Sequence, residues 1–471
     1  MKNRFLLLLL LGVNNLFSQT VEKKLDKAVK SLLRDVQLKH AITGFEVVDS
    51  KTGKVVYAYN EQVGLAPAST QKIFTSIAVF DLLGRDYRYR TSFGYIGTIK
   101  DTVLNGNLYL LGSGDPSLGS WRWIQTDSLE TGKKIVNAVQ ELKIKAITGD
   151  FLYHNSKFSL QAIPDGWIWQ DIGNYYGAGA FDINWKENQY ELHLASGNKI
   201  GEEVNFNRHV DYNYHGFFRN ELVSAEKGSG DNAYIYLGTE NAYPLLKGTI
   251  PIAEKDFTIS GANPNPPYSL VEDIKSRLLG RGIHFTKQNG LFSTAPVTDI
   301  VADSIKNGHE LISLISPPFD SLNFWFLRKS INLYGEAFLK TIALEKEGYA
   351  STEKGVELLK KFWEDKGVEN AALNIVDGCG LSPQNRVTAD ALVNALQYAR
   401  TRNWYASFYN ALPEYNGMKL KSGSINGARA YAGYHVSKTN KSYTFAIIIN
   451  NYDGPPSDTI KKMFIVLDIL K

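Results

Sequence analysis

Two textures of apolar and polar positions divide the chain. Residues 23–38 carry apolar side chains at helical spacing on an otherwise polar surface, which predicts an amphipathic helix. Phe45-Glu46-Val47-Val48-Asp49 and Val55-Val56-Tyr57-Ala58-Tyr59 are β-branched and aromatic runs joined by a tight polar turn, a hairpin pattern. From Ile73 to about Leu83 the sequence is apolar almost all round, as expected of a helix sunk in a core. Between about 90 and 310 short strands, such as 108–111 and 233–237, alternate with turns such as Gly112-Ser113-Gly114-Asp115-Pro116. Aromatics are dense there between 167 and 218, and a helix is predicted at 268–281. The last third returns to amphipathic helices at about 322–346, 353–366 and 388–402. Strands at 417–423, 428–437 and 442–450 and a helix at 457–470 close the chain. Strands with flanking helices at both ends predict an α+β protein whose main sheet is assembled from the two termini around a large insertion.

The N-terminus sets the expected compartment. Lys2 and Arg4 precede Phe5 and a leucine run through Leu11, and polar Asn14-Asn15 soon follow. A charged head and an apolar body too short to span a bilayer read as an export signal, with cleavage after Ser18. No later run approaches membrane-spanning length, so an exported, periplasmic chain without a transmembrane span is expected. The 52 basic and 48 acidic residues leave a net charge of +4, part of it from the leader itself. Without a basic stripe, nucleic acid is excluded as a partner. The single cysteine, Cys379, rules out an internal disulfide, and 471 residues allow two or three domains. The eight histidines are scattered without ligand spacing, so neither a metal nor a cofactor is expected.

Against that background one short pattern carries chemistry. Ser69-Thr70-Gln71-Lys72 heads the apolar helix, and a lysine three residues after a serine returns over its hydroxyl. Burial disfavours the ammonium form, so the amine can act as base to the alcohol. The same spacing occurs at Ser196/Lys199, Ser224/Lys227 and Ser351/Lys354. Ser351 reads as a helix N-cap, and Ser196 and Ser224 read as loop residues, which leaves Ser69 as the candidate nucleophile. Ser-x-Asn occurs at Ser196, Ser321, Ser330 and Ser424. Ser330-Ile331-Asn332 is distinctive because both polar residues interrupt a helical pattern that disfavours them. Lys51-Thr52-Gly53 lies in the first hairpin turn and is rejected as a site. Lys421-Ser422-Gly423-Ser424 ends a strand instead, and its glycine lets a substrate lie against the strand edge.

Taken with Gly112-Ser113-Gly114-Asp115-Pro116, Trp167-Ile168-Trp169-Gln170-Asp171 and Asp377-Gly378-Cys379-Gly380-Leu381-Ser382, these motifs give a pattern that resembles the class C low-molecular-mass penicillin-binding proteins. This is the D-alanyl-D-alanine carboxypeptidase/endopeptidase family, penicillin-binding protein 4 type, and the resemblance spans almost the whole mature chain. It implies a serine β-lactamase/DD-transpeptidase-like domain from 19–89 and 311–471. It also implies a mainly β insertion at 90–188 and 262–310, and a nested domain at 189–261. By the same resemblance Ser69 is the nucleophile, Lys72 the base, Ser330 the proton relay and Asn332 the residue that orients lysine and substrate. Lys421 and the Ser422 hydroxyl would grip the substrate carboxylate, with Gly423 beside them and the Ser424 N–H in the oxyanion hole. Implied partners are peptidoglycan stem peptides ending in or cross-linked through D-Ala, and β-lactams. Departures are Ser422 for the usual threonine, Cys379 for a common serine and Pro383 where a basic residue is frequent. A serine β-lactamase or esterase on the same scaffold, or a non-catalytic wall-binding protein, remain the alternatives.

Overall fold

The structure, a computed structural model, describes residues 20–153, 156–210, 218–238, 243–286, 305 and 307–471. The expected leader at 1–18 lies outside the described residues. Helix α1 (Val21–Leu33) starts at Thr20, whose hydroxyl accepts from the Lys23 N–H. Strands β1 (Ile42–Asp49) and β2 (Val55–Tyr59) follow, then a 3₁₀ turn (Ala68–Gln71) leading into α2 (Lys72–Leu82). The insertion contributes β3 (Arg90–Lys100), β4 (Val103–Leu111), α3 (Ser128–Glu141), α4 (Pro266–Leu279) and β5 (His309–Ile315). The chain returns through α5 (Phe319–Arg328), α6 (Asn332–Glu347), α7 (Thr352–Glu364) and α8 (Ala389–Arg400). It ends with β6 (Glu414–Tyr415), β7 (Met418–Ile425), β8 (Ala428–Val436), β9 (Ser442–Asn450) and α9 (Pro456–Leu467).

Both chain ends build one antiparallel sheet, in the order β6-β7-β8-β9-β1-β2. Its closure depends on β1 pairing β9 from Ile42↔Asn450 to Asp49↔Tyr443. Period-2 alternation sorts the two faces. Phe445, Ile447 and Ile449 pack with Leu25 and Val29 of α1 and Met463 and Val466 of α9. Ala446 and Ile448, with Ala430 and Ala432 of β8, meet a helical layer containing Phe74, Ile77, Phe326, Phe338 and Leu392. Every residue of α2 from Lys72 to Phe80 is buried, which is why that stretch reads as apolar all round.

The insertion has its own sheet, in which β3 pairs both β4 and β5. Its core is completed by Ile135, Val136 and Val139 of α3 and Leu270, Val271, Ile274 and Leu278 of α4. The two helices make this unit mixed rather than mainly β, and β5 carries its sheet to Ile315, past the expected limit at 310. Residues 189–262 form two three-stranded sheets around Leu192, Leu222, Ile235, Leu246 and Ile259.

Three expectations need correction. The first helix stops at Leu33, because Asp35 accepts from the Gln37 N–H and starts a separate 3₁₀ turn. Ser224 is itself buried and lies in a strand, Arg219–Ala225, not a loop. Most consequentially, the helix expected over 322–346 is two helices. Ser330 sits between them with φ of 58°, the left-handed region that an L residue rarely enters.

Candidate active site

The nucleophile turn is built under pressure from two sides. Ala68, just before Ser69, has φ of 47°. A Cβ on Gly423 would stand 2.3 Å from the Pro67 carbonyl oxygen, and one on Gly380 would stand 1.9 Å from that of Ala68. Both glycines therefore exist to let β7 and the 377–382 loop clamp the turn. Gly423 had been read as making room for substrate; its missing side chain is occupied by the nucleophile turn. Thr70 fixes the same turn by donating from Oγ1 to the Pro67 carbonyl at 2.7 Å. Because Ser69 lies in a 3₁₀ rather than an α-helical turn, residues three apart eclipse one another, which sets Lys72 over Ser69.

Lys72 Nζ lies 3.0 Å from Ser69 Oγ, 2.7 Å from Asn332 Oδ1 and 2.7 Å from the Cys379 carbonyl oxygen. A neutral amine has two N–H donors and one lone pair. Two of the three oxygens can accept those donors while the lone pair faces the third, and an ammonium would donate to all three, Ser69 Oγ included. Lys72 is fully buried, and the resulting loss of hydration holds its pKa below the ordinary lysine value. Negative charge around Cys379, Asp377 and Glu336 opposes that shift. Lys421 is 1% exposed and donates to the Ser422 carbonyl at 2.9 Å. Burial, then the charge of Lys72, holds its pKa far below normal.

Asn332 opens α6 as its first residue, so its amide projects from a helix start rather than a helix interior. Its Oδ1 faces Lys72 while its Nδ2 donates to the Tyr176 carbonyl at 2.8 Å. Ser330 lines the same cleft, and its hydroxyl makes no hydrogen bond to Ser69 or Lys72 among the described residues. Ser424 is exposed on that cleft as well, and Ser422 is half-buried. The rejected motif behaves as expected: Thr52 is tied to Asp49 in an exposed turn. Ser351 caps α7 through its bond from the Lys354 N–H at 3.2 Å.

Two groups escaped the sequence reading. Asp377 accepts from Gln71 Nε2, Asn385 Nδ2, Trp167 Nε1 and the N–H groups of Gly380 and Ser382. Glu336, buried beside Asp377 and Cys379, accepts from the Gly378 N–H at 2.9 Å and leaves Oε2 unpartnered. Burial, reinforced by Asp377, pushes its carboxyl up to about 8. With five donors already on Asp377, that cluster has little capacity left for a cation. The signal available was the Asp-Gly-x-Gly run at 377–380, which marks a loop folded back on a polar hub.

The insertion also reaches this site. Besides Tyr176 and Trp167, the Gly166 carbonyl accepts from Ser382 Oγ at 2.9 Å. Lys340 Nζ donates to the carbonyls of Gln161 and Ala180 at 2.7 and 2.8 Å. The resulting cleft encloses about 820 Å³, and Asp171, Tyr175, Tyr176 and Tyr234 form its far wall.

A buried lysine within hydrogen-bond reach of a serine, beside an antiparallel sheet closed by both termini, is the arrangement of a serine acyl-transfer enzyme of the penicillin-binding class. Residues 25–414 match the D-Ala-D-Ala carboxypeptidase 3 (S13) family, and the chain belongs to that family. It is 23% identical over 431 residues to D-alanyl-D-alanine carboxypeptidase DacB of Haemophilus influenzae, covering 87% of this chain and 85% of that one. To a D-alanyl-D-alanine carboxypeptidase of Actinomadura sp. it is 24% identical over 468 residues, covering 92% of this chain and 82% of that one. The crystal structure of penicillin binding protein 4 from Haemophilus influenzae has the same fold, with a TM-score of 0.76 at 20% identity. The match covers 96% of this chain and all of that one (100%).

Proposed function

We propose that this cleft cleaves the peptide bond between D-Ala residues of peptidoglycan stem peptides through an acyl-enzyme on Ser69. The observation that carries the reading is the fully buried amine of Lys72 lying 3.0 Å from the Ser69 hydroxyl oxygen. Ser69 Oγ adds to the substrate carbonyl as its proton passes to Lys72 Nζ. The C–N bond then breaks as the departing amine takes the Ser330 hydroxyl proton and Ser330 is reprotonated from Lys72, which returns to the neutral amine and can then take a proton from the attacking water. Water attacks the ester, returns Ser69 to its starting state and releases the shortened peptide.

Strand geometry supports an oxyanion hole at Ser424. Asn426-Gly427 is a two-residue hairpin loop, so Ile425↔Ala428 is the closing hydrogen-bonded pair. Ser424↔Arg429 is then the non-hydrogen-bonded kind, and the Ser424 N–H points off the open edge of β7. Together with the Ser69 N–H it offers two donors to a developing oxyanion. The Ser422 hydroxyl serves the substrate carboxylate, with Lys421 buried beneath it.

A β-lactam presents the same carbonyl and acylates Ser69 without a diffusing leaving group, as is consistent with the Haemophilus influenzae penicillin binding protein 4 structure complexed with a β-lactam. Such substrates lie outside the cytoplasm, which supports the reading of an exported, periplasmic enzyme. Ser69→Ala is expected to lose D-Ala release from a D-Ala-D-Ala peptide and to gain no mass on incubation with penicillin. A Ser69→Ala protein that still forms the covalent adduct would overturn the assignment. Slow deacylation of wild-type adduct, with D-Ala release intact, separates this reading from a β-lactamase.

A further inference from the structure

Arg429, like Lys329, is a cation lining the cleft with no task in the reaction above. Arg429 pairs with Ser424 across β7/β8 and with Ile449 on its other side. Residues opposite one another in an antiparallel pair share a sheet face, as do residues two apart on one strand. Arg429 therefore shares the face of Ser422 and Ser424, while Lys421 and Gly423 take the other. The diagonal to Ser422 is about 7–8 Å, within reach of an arginine side chain.

The guanidinium is held in place. Its Nη1 donates to the carbonyls of Ile425 and Ala428 at 2.9 and 2.7 Å, and its carbon lies 5.6 Å from the centre of the Tyr452 ring. Those bonds occupy a single nitrogen. Nε and Nη2 have no hydrogen-bond partner, and no carboxylate pairs with Arg429, among the described residues. Arg429 and Tyr452 both line the cleft that contains Ser69 and Ser424.

Recognition of a carboxylate needs a charge that faces the substrate. Lys421 is buried behind the strand with its amine turned to a carbonyl. An arginine keeps its charge and presents two parallel donors that match a carboxylate. We propose that Arg429 binds a carboxylate of the stem peptide through its free Nε and Nη2 edge. The assignment rests on the D-Ala-D-Ala peptidase reading of the cleft. Two groups of that substrate share the chemistry: the C-terminal carboxylate beyond the scissile bond, and an acidic side chain further up the stem.

The test is steady-state cleavage of three peptides by wild type, Arg429→Gln and Arg429→Lys, with products read by mass spectrometry. One peptide has a free C-terminus and an upstream acid, one has a neutral residue upstream, and one has a C-terminal amide. On the first, R429Q is expected to lose roughly tenfold or more in kcat/KM, carried by KM, and R429K to recover part of it. Wild type and R429Q should then converge on the peptide that lacks the sensed carboxylate, which identifies the group. An equal loss on all three peptides, or a loss on none, would overturn the proposal and leave Arg429 as a closure of the hairpin. A wild-type protein that cleaves none of the three would defeat the peptidase reading and the Arg429 assignment with it.

Discussion

At the residue scale the account turns on proton inventory. Three oxygen acceptors surround Lys72, so its hydrogen bonds fit amine and ammonium alike, and burial is what favours the amine. Lys72→Arg keeps the charge and cannot give it up, so acylation by penicillin should fall by at least about a thousandfold while the fold persists, read by intact mass and melting temperature. Glu336 tests the surroundings of the base. Its carboxyl binds a proton more tightly folded, at about 8, than at the ordinary 4.5. Between those values the folded state holds more protons than the unfolded one, so this contribution to stability is full below 4.5 and is lost as pH rises through about 8. Glu46, pushed up to about 7 by burial and by Asp390 and Glu61, adds to the same slope. Glu336→Gln should flatten the decline in melting temperature across this range without removing it. A slope identical to that of wild type would contradict the buried-acid assignment.

At the element scale, close approach of backbones decides the site. Gly423→Ala would force β7 away from the Pro67 carbonyl, and a loss of about 1–3 kcal/mol in urea unfolding, with activity falling alongside, is expected. Ser351→Ala removes a cap far from chemistry and should cost about 1 kcal/mol with kcat/KM unchanged. These contrasts explain what the sequence could disclose. Ser69 and Lys72 were legible because their relation is local, three residues on one turn. The strands of the main sheet were legible because alternation is local as well. The break at Ser330 was hidden because the apolar pattern of α5 continues into α6, and only a backbone dihedral separates them. The purpose of Gly423 was misread because its neighbour, Pro67, lies hundreds of positions away in sequence.

At the scale of the molecule, the insertion is bonded to the candidate site. A carbonyl from Tyr176 orients the Asn332 amide, and Glu187 joins the Arg122 guanidinium to the Tyr334 hydroxyl, two residues from Asn332. Nothing in the order of residues announces such long-range bonds. Tyr334→Phe would leave Glu187 one donor short in a buried setting. It should therefore cost about 1–3 kcal/mol and lower kcat more than it changes KM, measured by melting and by D-Ala release. All of these supports converge on the protonation state of one amine. The pH dependence of penicillin acylation, followed by intact mass, tests that state most directly. The predicted result is an acidic limb whose midpoint lies below the ordinary lysine value of 10.5, and which disappears with residual activity in Lys72→Met. A limb at the ordinary lysine value, or a Lys72→Met protein that acylates at the wild-type rate, would contradict it.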